Sequence, residues 1–245
     1  MVILAQTRRS VLRGLSPMLS FYKRLNVHSL LAFAGMAGPI VLGATDITTA
    51  VTTPTYSLVR DSISSLALTP LGWVQTIGFL AIGLLIEIFT AGLLYNVRRA
   101  RGFHLGIALL VLFGFTLLLI GAFRTDPLGV DRTIEGRIHG LAATASFWIF
   151  PAAILAVAPS FRNDPGWKGI FWYSVIAGIL AVALVLTLGS LPDNMGWFGL
   201  LERIVVANMI VWIEIAAFKL LLLSLKRVRP SGHRPGVSDV YPYLP

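Results

Sequence analysis

Residues 72–97 read GWVQTIGFLAIGLLIEIFTAGLLYNV, an apolar run interrupted by one charged side chain, Glu87. A helix needs about 20 such residues to cross a hydrocarbon core. Five further stretches have the same character: His28–Val51, Phe103–Phe123, Leu141–Ala158, Ile170–Leu191 and Gly199–Leu225. Backbone N–H and C=O groups in lipid must be satisfied within their own segment, and these lengths point to helices rather than barrel strands. The expected fold class is therefore all-α: a polytopic membrane protein, built as a single bundle of six transmembrane helices.

Composition agrees. The 245 residues are 56% hydrophobic and 13% charged, whereas soluble domains carry about 25% charged residues. The spans leave no room for a second folded domain. The expected division is 1–27, a basic N-terminal segment; 28–225, the six-helix domain; and 226–245, a basic tail whose Pro, Gly and Ser content predicts disorder. The first 26 residues scatter their apolar positions among Arg8, Arg9, Arg13, Lys23 and Arg24, and lack the continuous core of a cleavable signal. Val11, Leu12, Leu15, Leu19 and Tyr22 fit either an amphipathic helix on the inner leaflet, interrupted at Pro17, or a flexible arm.

The absence of cysteine excludes disulfides, thiolate metal sites and a cysteine nucleophile. The net charge of +9 flanks the spans, where it orients the chain and meets anionic headgroups. The partners expected are membrane lipids, with a small-molecule or lipid ligand and no nucleic acid.

Loop charges orient the bundle. With the N-terminus inside, the cytoplasmic segments hold the five basic residues before span one, then Arg98, Arg99, Arg101, Arg162, Lys168, Lys226, Arg227, Arg229 and Arg234. The outer loops hold Arg60, Arg124, Arg132 and Arg137, with Arg203 at the mouth of span six. By the positive-inside rule both termini are cytoplasmic, in a multi-pass protein of the plasma (inner) membrane. Trp73 and Trp197 fall at the outer interface, Pro39 and Pro151 should kink spans one and four, and Gly35, Gly43, Gly78 and Gly178 would allow close helix contact.

This orientation gathers the chemistry on the outer side. The first outer loop carries Arg60, Asp61, Ser62, Ser64 and Ser65, with Asp61 positioned to cap a short interfacial helix. The second carries Arg124-Thr125-Asp126-Pro127 and then Gly136-Arg137-Ile138-His139-Gly140. The third carries Asp193, then Glu202 and Arg203, and Asp46 reaches the same depth from span one. The candidate ligand-binding set is Arg60, Asp61, Arg124, Asp126, Arg137, His139, Glu202 and Arg203. The alternative is that outer loops are simply polar and that Arg–Asp pairs tie helix ends together. His139 can shuttle a proton, ligate a metal or hydrogen-bond. With Asp126 or Asp193 it is the candidate catalytic pair.

Three-histidine zinc is excluded because His28, His104 and His233 lie on the other side; His139 with two carboxylates from Asp46, Asp126, Asp193 and Glu202 is chemically possible, and no metal is assigned. Haem is disfavoured for want of two facing His pairs, and the cofactor is left unspecified. The loop serines lack the Gly-x-Ser-x-Gly elbow of a hydrolase nucleophile. Glu87 and Glu214 fall at similar depth in spans two and six, with Asn208 nearby. Such intramembrane acids are either a proton- or cation-linked site or neutral groups with local partners.

The run Arg60–Ala67 leading into Gly72-Trp73, Phe123–Pro127, Gly136–Gly140, Gly196-Trp197 and Glu202-Arg203 resembles, in order, the six-span prokaryotic membrane family called domain of unknown function 998. Two positions depart from its pattern: Arg124 stands where proline often precedes Thr-Asp-Pro, and Glu202 where glutamine is frequent. The resemblance implies a six-helix membrane protein and transfers no catalytic role. Three functions fit the residues: binding or transport of a small molecule or lipid headgroup at the outer face, a membrane-embedded hydrolase or transferase using His139 with carboxylates, or a structural or accessory subunit.

Overall fold

The computed structural model describes residues 25–191 and 195–227. The expected N-terminal arm, the tail beyond Arg227 and Asp193 lie outside the described residues.

Six long helices are present: α1 (Val27–Val51), α2 (Gly72–Asn96), α3 (Phe103–Ala122), α4 (Ile134–Asn163), α5 (Phe171–Ser190) and α6 (Phe198–Arg227). Each contains a segment apolar enough to span a bilayer, with mean hydropathy of at least 1.6. The protein is a multi-pass membrane protein with no strand among the described residues. α1 and α4 run unbroken through Pro39 and Pro151.

The helices run up and down, each packing on its neighbours in sequence, and α6 packs back on α1 to close a ring. The α5–α6 seam is the thinnest in that ring. Below, the face where α1 begins is called proximal and the face where it ends distal.

Lipid gives helices little hydrophobic reason to associate, so close approach through small residues carries the packing. A Cβ on Gly35 would lie 2.7 Å from the Phe89 ring and 2.8 Å from Ala217 Cβ, so α1, α2 and α6 meet at this glycine. Gly78 admits Thr45 of α1, and Gly178 of α5 rests on Leu155 and Ile154 of α4. Gly43 departs from expectation: nothing lies within 4 Å of its Cβ position, so it contributes no helix contact among the described residues. In the core Phe113, Phe150 and Trp212 pack ring to ring, with centroids 4.9 and 5.7 Å apart.

The proximal face is laced by hydrogen bonds. Asn26 caps α1, accepting from Ser29 N at 3.0 Å, and Ser29 Oγ meets Ser224 Oγ of α6 at 2.9 Å. Asp164, after α4, accepts from Arg98 N at 2.9 Å, and Trp167 donates its indole N–H to Asn96 O at 3.1 Å. Exposed Tyr95 and Trp172 ring this face and exposed Trp73 and Trp197 ring the distal one, in the manner of two interfacial belts.

α4 differs most from the sequence reading. It starts seven residues before the apolar window, at Ile134 rather than Leu141, because Thr133 caps it by accepting from Gly136 N at 3.0 Å and Glu135 sits in its first turn. His139 is therefore inside the helix, 4% exposed, rather than at its entrance.

Gly35→Leu is expected to cost about 1–3 kcal/mol by overpacking. Gly43→Leu, pointing into open space, should stay within about 0.5 kcal/mol of wild type. Thermal unfolding of the two variants in one detergent measures the contrast.

Candidate functional site

The distal connection from α1 to α2 is the roof of the site. Tyr56 OH donates to Ser62 O at 2.9 Å, and Asp61 Oδ2 accepts from Ser57 N at 2.7 Å, closing a tight loop. A short 3₁₀ helix, Ile63–Leu68, follows as expected, but its cap is Ser62, whose Oγ accepts from Ser65 N at 3.3 Å. Asp61 does not cap it because its carboxylate is already turned back onto Ser57.

Two consecutive residues of α6 hold this loop. Glu202 Oε2 accepts from Ile63 N at 2.7 Å. Arg203 Nη1 donates to Leu58 O at 3.0 Å, Asp61 O at 2.9 Å and Gly199 O at 3.1 Å, and Nη2 donates to Tyr56 OH. Its guanidinium lies 5.5 Å from the centre of the Tyr56 ring, and Asp46 Oδ1 of α1 stands 3.8 Å from Nη2. Asp46 thus reaches the depth expected of it, and an Arg–Asp pair does tie helix ends. Burial pushes the Tyr56 hydroxyl up to about 12, with the hydrogen bond and charge of Arg203 opposing that rise.

The second distal loop is closed by Asp126. Its Oδ2 accepts from Thr133 N at 2.8 Å and its Oδ1 from Thr133 Oγ1 at 2.8 Å. Gly136 leaves room for that carboxylate, because a Cβ there would overlap it.

Beneath these loops lies a chamber of about 860 Å³ between α4, α5 and α6. Of the expected residues it brings together Arg60, Asp61, Asp126, His139 and Glu202. Arg124, Arg137 and Arg203 are not on its wall among the described residues. Arg132, which loop charge alone did not distinguish from its neighbours, is on the wall. The side chains of Arg60 and Arg132 are exposed and make no hydrogen bond or ion pair among the described residues.

The chamber continues inward as a smaller apolar lobe of about 80 Å³, walled by residues such as Phe79, Phe113, Leu117, Met209 and Ile213. Five residues border both spaces and form the throat between them: Ser64, His139, Ala143, Phe147 and Glu202. His139 Nδ1 is 2.8 Å from Phe123 O. A carbonyl only accepts, so Nδ1 carries a proton, and a neutral ring with that tautomer has its lone pair on Nε2. Neither Nε2 nor Glu202 Oε1 has a hydrogen-bond partner among the described residues, so each can receive a donor from a bound molecule. No group of three or more His, Asp or Glu is arranged to hold a metal among the described residues.

The intramembrane acids lie apart from this site. Glu87 is turned to α3, where its Oε1 would be 2.6 Å from a Cβ on Gly114. Asn208 donates to Ala177 O of α5 at 3.2 Å. No hydrogen bond or ion pair joins Glu87 to Glu214 among the described residues.

Residues 36–219 match the model of a family described as protein of unknown function (DUF998). That is well over half of the sequence, and the chain belongs to this family. No curated protein and no solved structure is significantly similar to it.

Arg203→Lys keeps the charge but cannot supply the planar fork that reaches three carbonyls and a hydroxyl. A loss of about 2–3 kcal/mol in unfolding free energy is expected, because the carbonyls are left without donors. Tyr56 gives a pH signature. Its folded-state value lies above the ordinary 10.0, so its neutral form contributes stability that is complete below that pH and disappears as pH rises through about 12. Melting curves across that window should fall more steeply for wild type than for Tyr56→Phe.

Proposed function

We propose that this family member binds a small molecule or lipid headgroup carrying an anionic group, in the distal chamber. The observation that carries the reading is a large chamber flanked by two guanidinium groups, Arg60 and Arg132, that have no protein partner among the described residues. Guanidinium forks suit carboxylate and phosphate oxygens. The three acids on the same wall are turned to other partners and form no ion pair with either guanidinium among the described residues. Both oxygens of Asp126 are held by Thr133, and Asp61 and Glu202 each give one oxygen to a backbone N–H. Binding is favoured over passage through the bundle, since the packed rings of Phe113, Phe150 and Trp212 fill the axis beneath the lobe.

The chamber faces outward in the same reading, with both termini cytoplasmic and the protein in the plasma membrane. The loop basic residues support it: Arg98, Arg99, Arg101, Arg162 and Lys168 fall on the proximal face.

A hydrolase or transferase is the second reading, favoured by the meeting of Ser64, His139 and Glu202 at one throat. No hydrogen bond links the three to one another among the described residues, so a base-activated nucleophile of the usual 2.6–3.2 Å or so is not assembled. That favours binding.

Protein stripped of lipid is expected to bind phosphatidylglycerol, and its soluble headgroup analogue glycerol phosphate. The Arg60→Ala/Arg132→Ala double variant should bind both at least about tenfold more weakly. Native mass spectrometry for the lipid and calorimetry for the soluble probe provide the readouts. Equal binding by wild type and double variant would sink the proposal.

A further inference from the structure

We infer that the chamber takes its ligand sideways from the bilayer: the occupant is a phosphate-bearing lipid whose headgroup sits in the chamber while its chain leaves between α4 and α5. This rests on the chamber being a binding site.

The argument begins with how α5 is fastened. Its hydrogen bonds to other helices and its glycine contact lie in its proximal half, while Ala181, Val185 and Leu188 bury apolar surface further along. Ser174 Oγ accepts the indole N–H of Trp212 at 3.0 Å, Ala177 O accepts from Asn208 at 3.2 Å, and Gly178 sits against Leu155, which would be 2.6 Å from a Cβ there. Toward the distal end no side-chain hydrogen bond joins α5 to another helix among the described residues. There the chamber lies between α4 and α5. Ala143, Thr144, Phe147 and Trp148 of α4 wall it on one side, and Val185, Leu186 and Gly189 of α5 on the other.

The second observation is that part of this wall is also outer surface of the bundle. Trp148 is 45% exposed and Leu186 is 56% exposed, while Thr144 and Gly189 are exposed as well. In a membrane-spanning bundle such apolar exposure at this position faces lipid. A residue that borders the chamber and also faces lipid marks an opening between the two. Gly189 has nothing within 4 Å of its Cβ position among the described residues, as expected of a gap and not of a packed seam.

The chemistry on the two sides of the opening suits one kind of molecule. Inside stand Arg60 and Arg132 with free donors and the hydroxyls of the distal loops, which match phosphate oxygens. Outside lie the exposed apolar side chains of Trp148 and Leu186, which face lipid. The deep lobe does not take the chain. At about 80 Å³ it is smaller than the roughly 150 Å³ engineered cavity that accepts one benzene, whereas an acyl chain is many times longer. The α4–α5 opening, walled by residues that also face lipid, is where we place the chain.

The test fills the opening from either side, with Gly189→Trp and Thr144→Trp, in lipid-stripped protein whose melting temperature is checked against wild type. Phosphatidylglycerol and glycerol phosphate are the probes. Each tryptophan should weaken the lipid about tenfold and leave the soluble headgroup within about twofold. Lipid binding unchanged in both variants would overturn sideways entry while leaving the chamber as a site for a soluble anion. Equal loss of both probes would also overturn it, since the tryptophans would then be obstructing the headgroup position. Lipid and glycerol phosphate both failing to bind wild type would refute the chamber reading itself, and sideways entry with it.

Discussion

A single guanidinium sets the geometry of the distal face. The α1–α2 connection buries Ile63, Leu66 and Ala67, and its carbonyls at Leu58 and Asp61 meet Arg203 of α6. Arg203 meets both of them together with Gly199 O and the Tyr56 hydroxyl, while Asp46 supplies a nearby negative charge from α1. Only a rigid fork with several donors can satisfy so many acceptors from one position. Gly199 is part of the device, since a Cβ there would overlap the Asp61 backbone. Because α6 also packs on α1, the same contact that places the roof locks the last helix to the first. The roof residues of the chamber, Arg60 to Ser65, inherit their positions from it.

Much of this architecture is legible in the sequence, because bilayer thickness and hydrogen-bond satisfaction leave few alternatives. The six spans, the short helix after Ser62, the depth of Asp46 and the collection of polar residues at one face all follow from apolar length and the placement of breaks. What hydropathy cannot see is how a polar residue uses its atoms. Asp61 and Ser62 are equally good caps by residue type, and the choice turns on Ser57 N lying within reach of the carboxylate. The early start of α4 is invisible to an apolar window because its first turns are polar; Thr133, with Glu135 two residues on, was the available signal.

The candidate site was legible as a region rather than as a list. Arg60, Arg124, Arg132 and Arg137 look alike in a loop, yet only Arg60 and Arg132 wall the chamber. Helical phase separates Arg137 from His139, since neighbours two apart on a helix face different directions. Arg203, the most conspicuous cation at the mouth of span six, is committed to backbone and is a fastener. The throat had no sequence signature at all, because Ser64, His139 and Glu202 come from three separate elements.

The two faces of the bundle differ in how tightly they are joined, and this bears on where the protein can open. At the proximal face polar ties join neighbouring elements, from Ser29–Ser224 to Asp164–Arg98 and Trp167–Asn96. Low-dielectric surroundings make such ties costly to break, because each leaves an unsatisfied group with no water to replace the partner. At the distal face the ties gather at three places, Arg203 with Glu202, Asp126 with Thr133, and His139 with Phe123 O, and α5 has none of them among the described residues. Displacing the distal half of α5 breaks no side-chain hydrogen bond to another helix among the described residues, while moving its proximal half breaks those from Trp212 and Asn208. Polar ties therefore fix the proximal half of α5, while its distal half is held by apolar burial alone, as at Ala181, Val185 and Leu188, among the described residues.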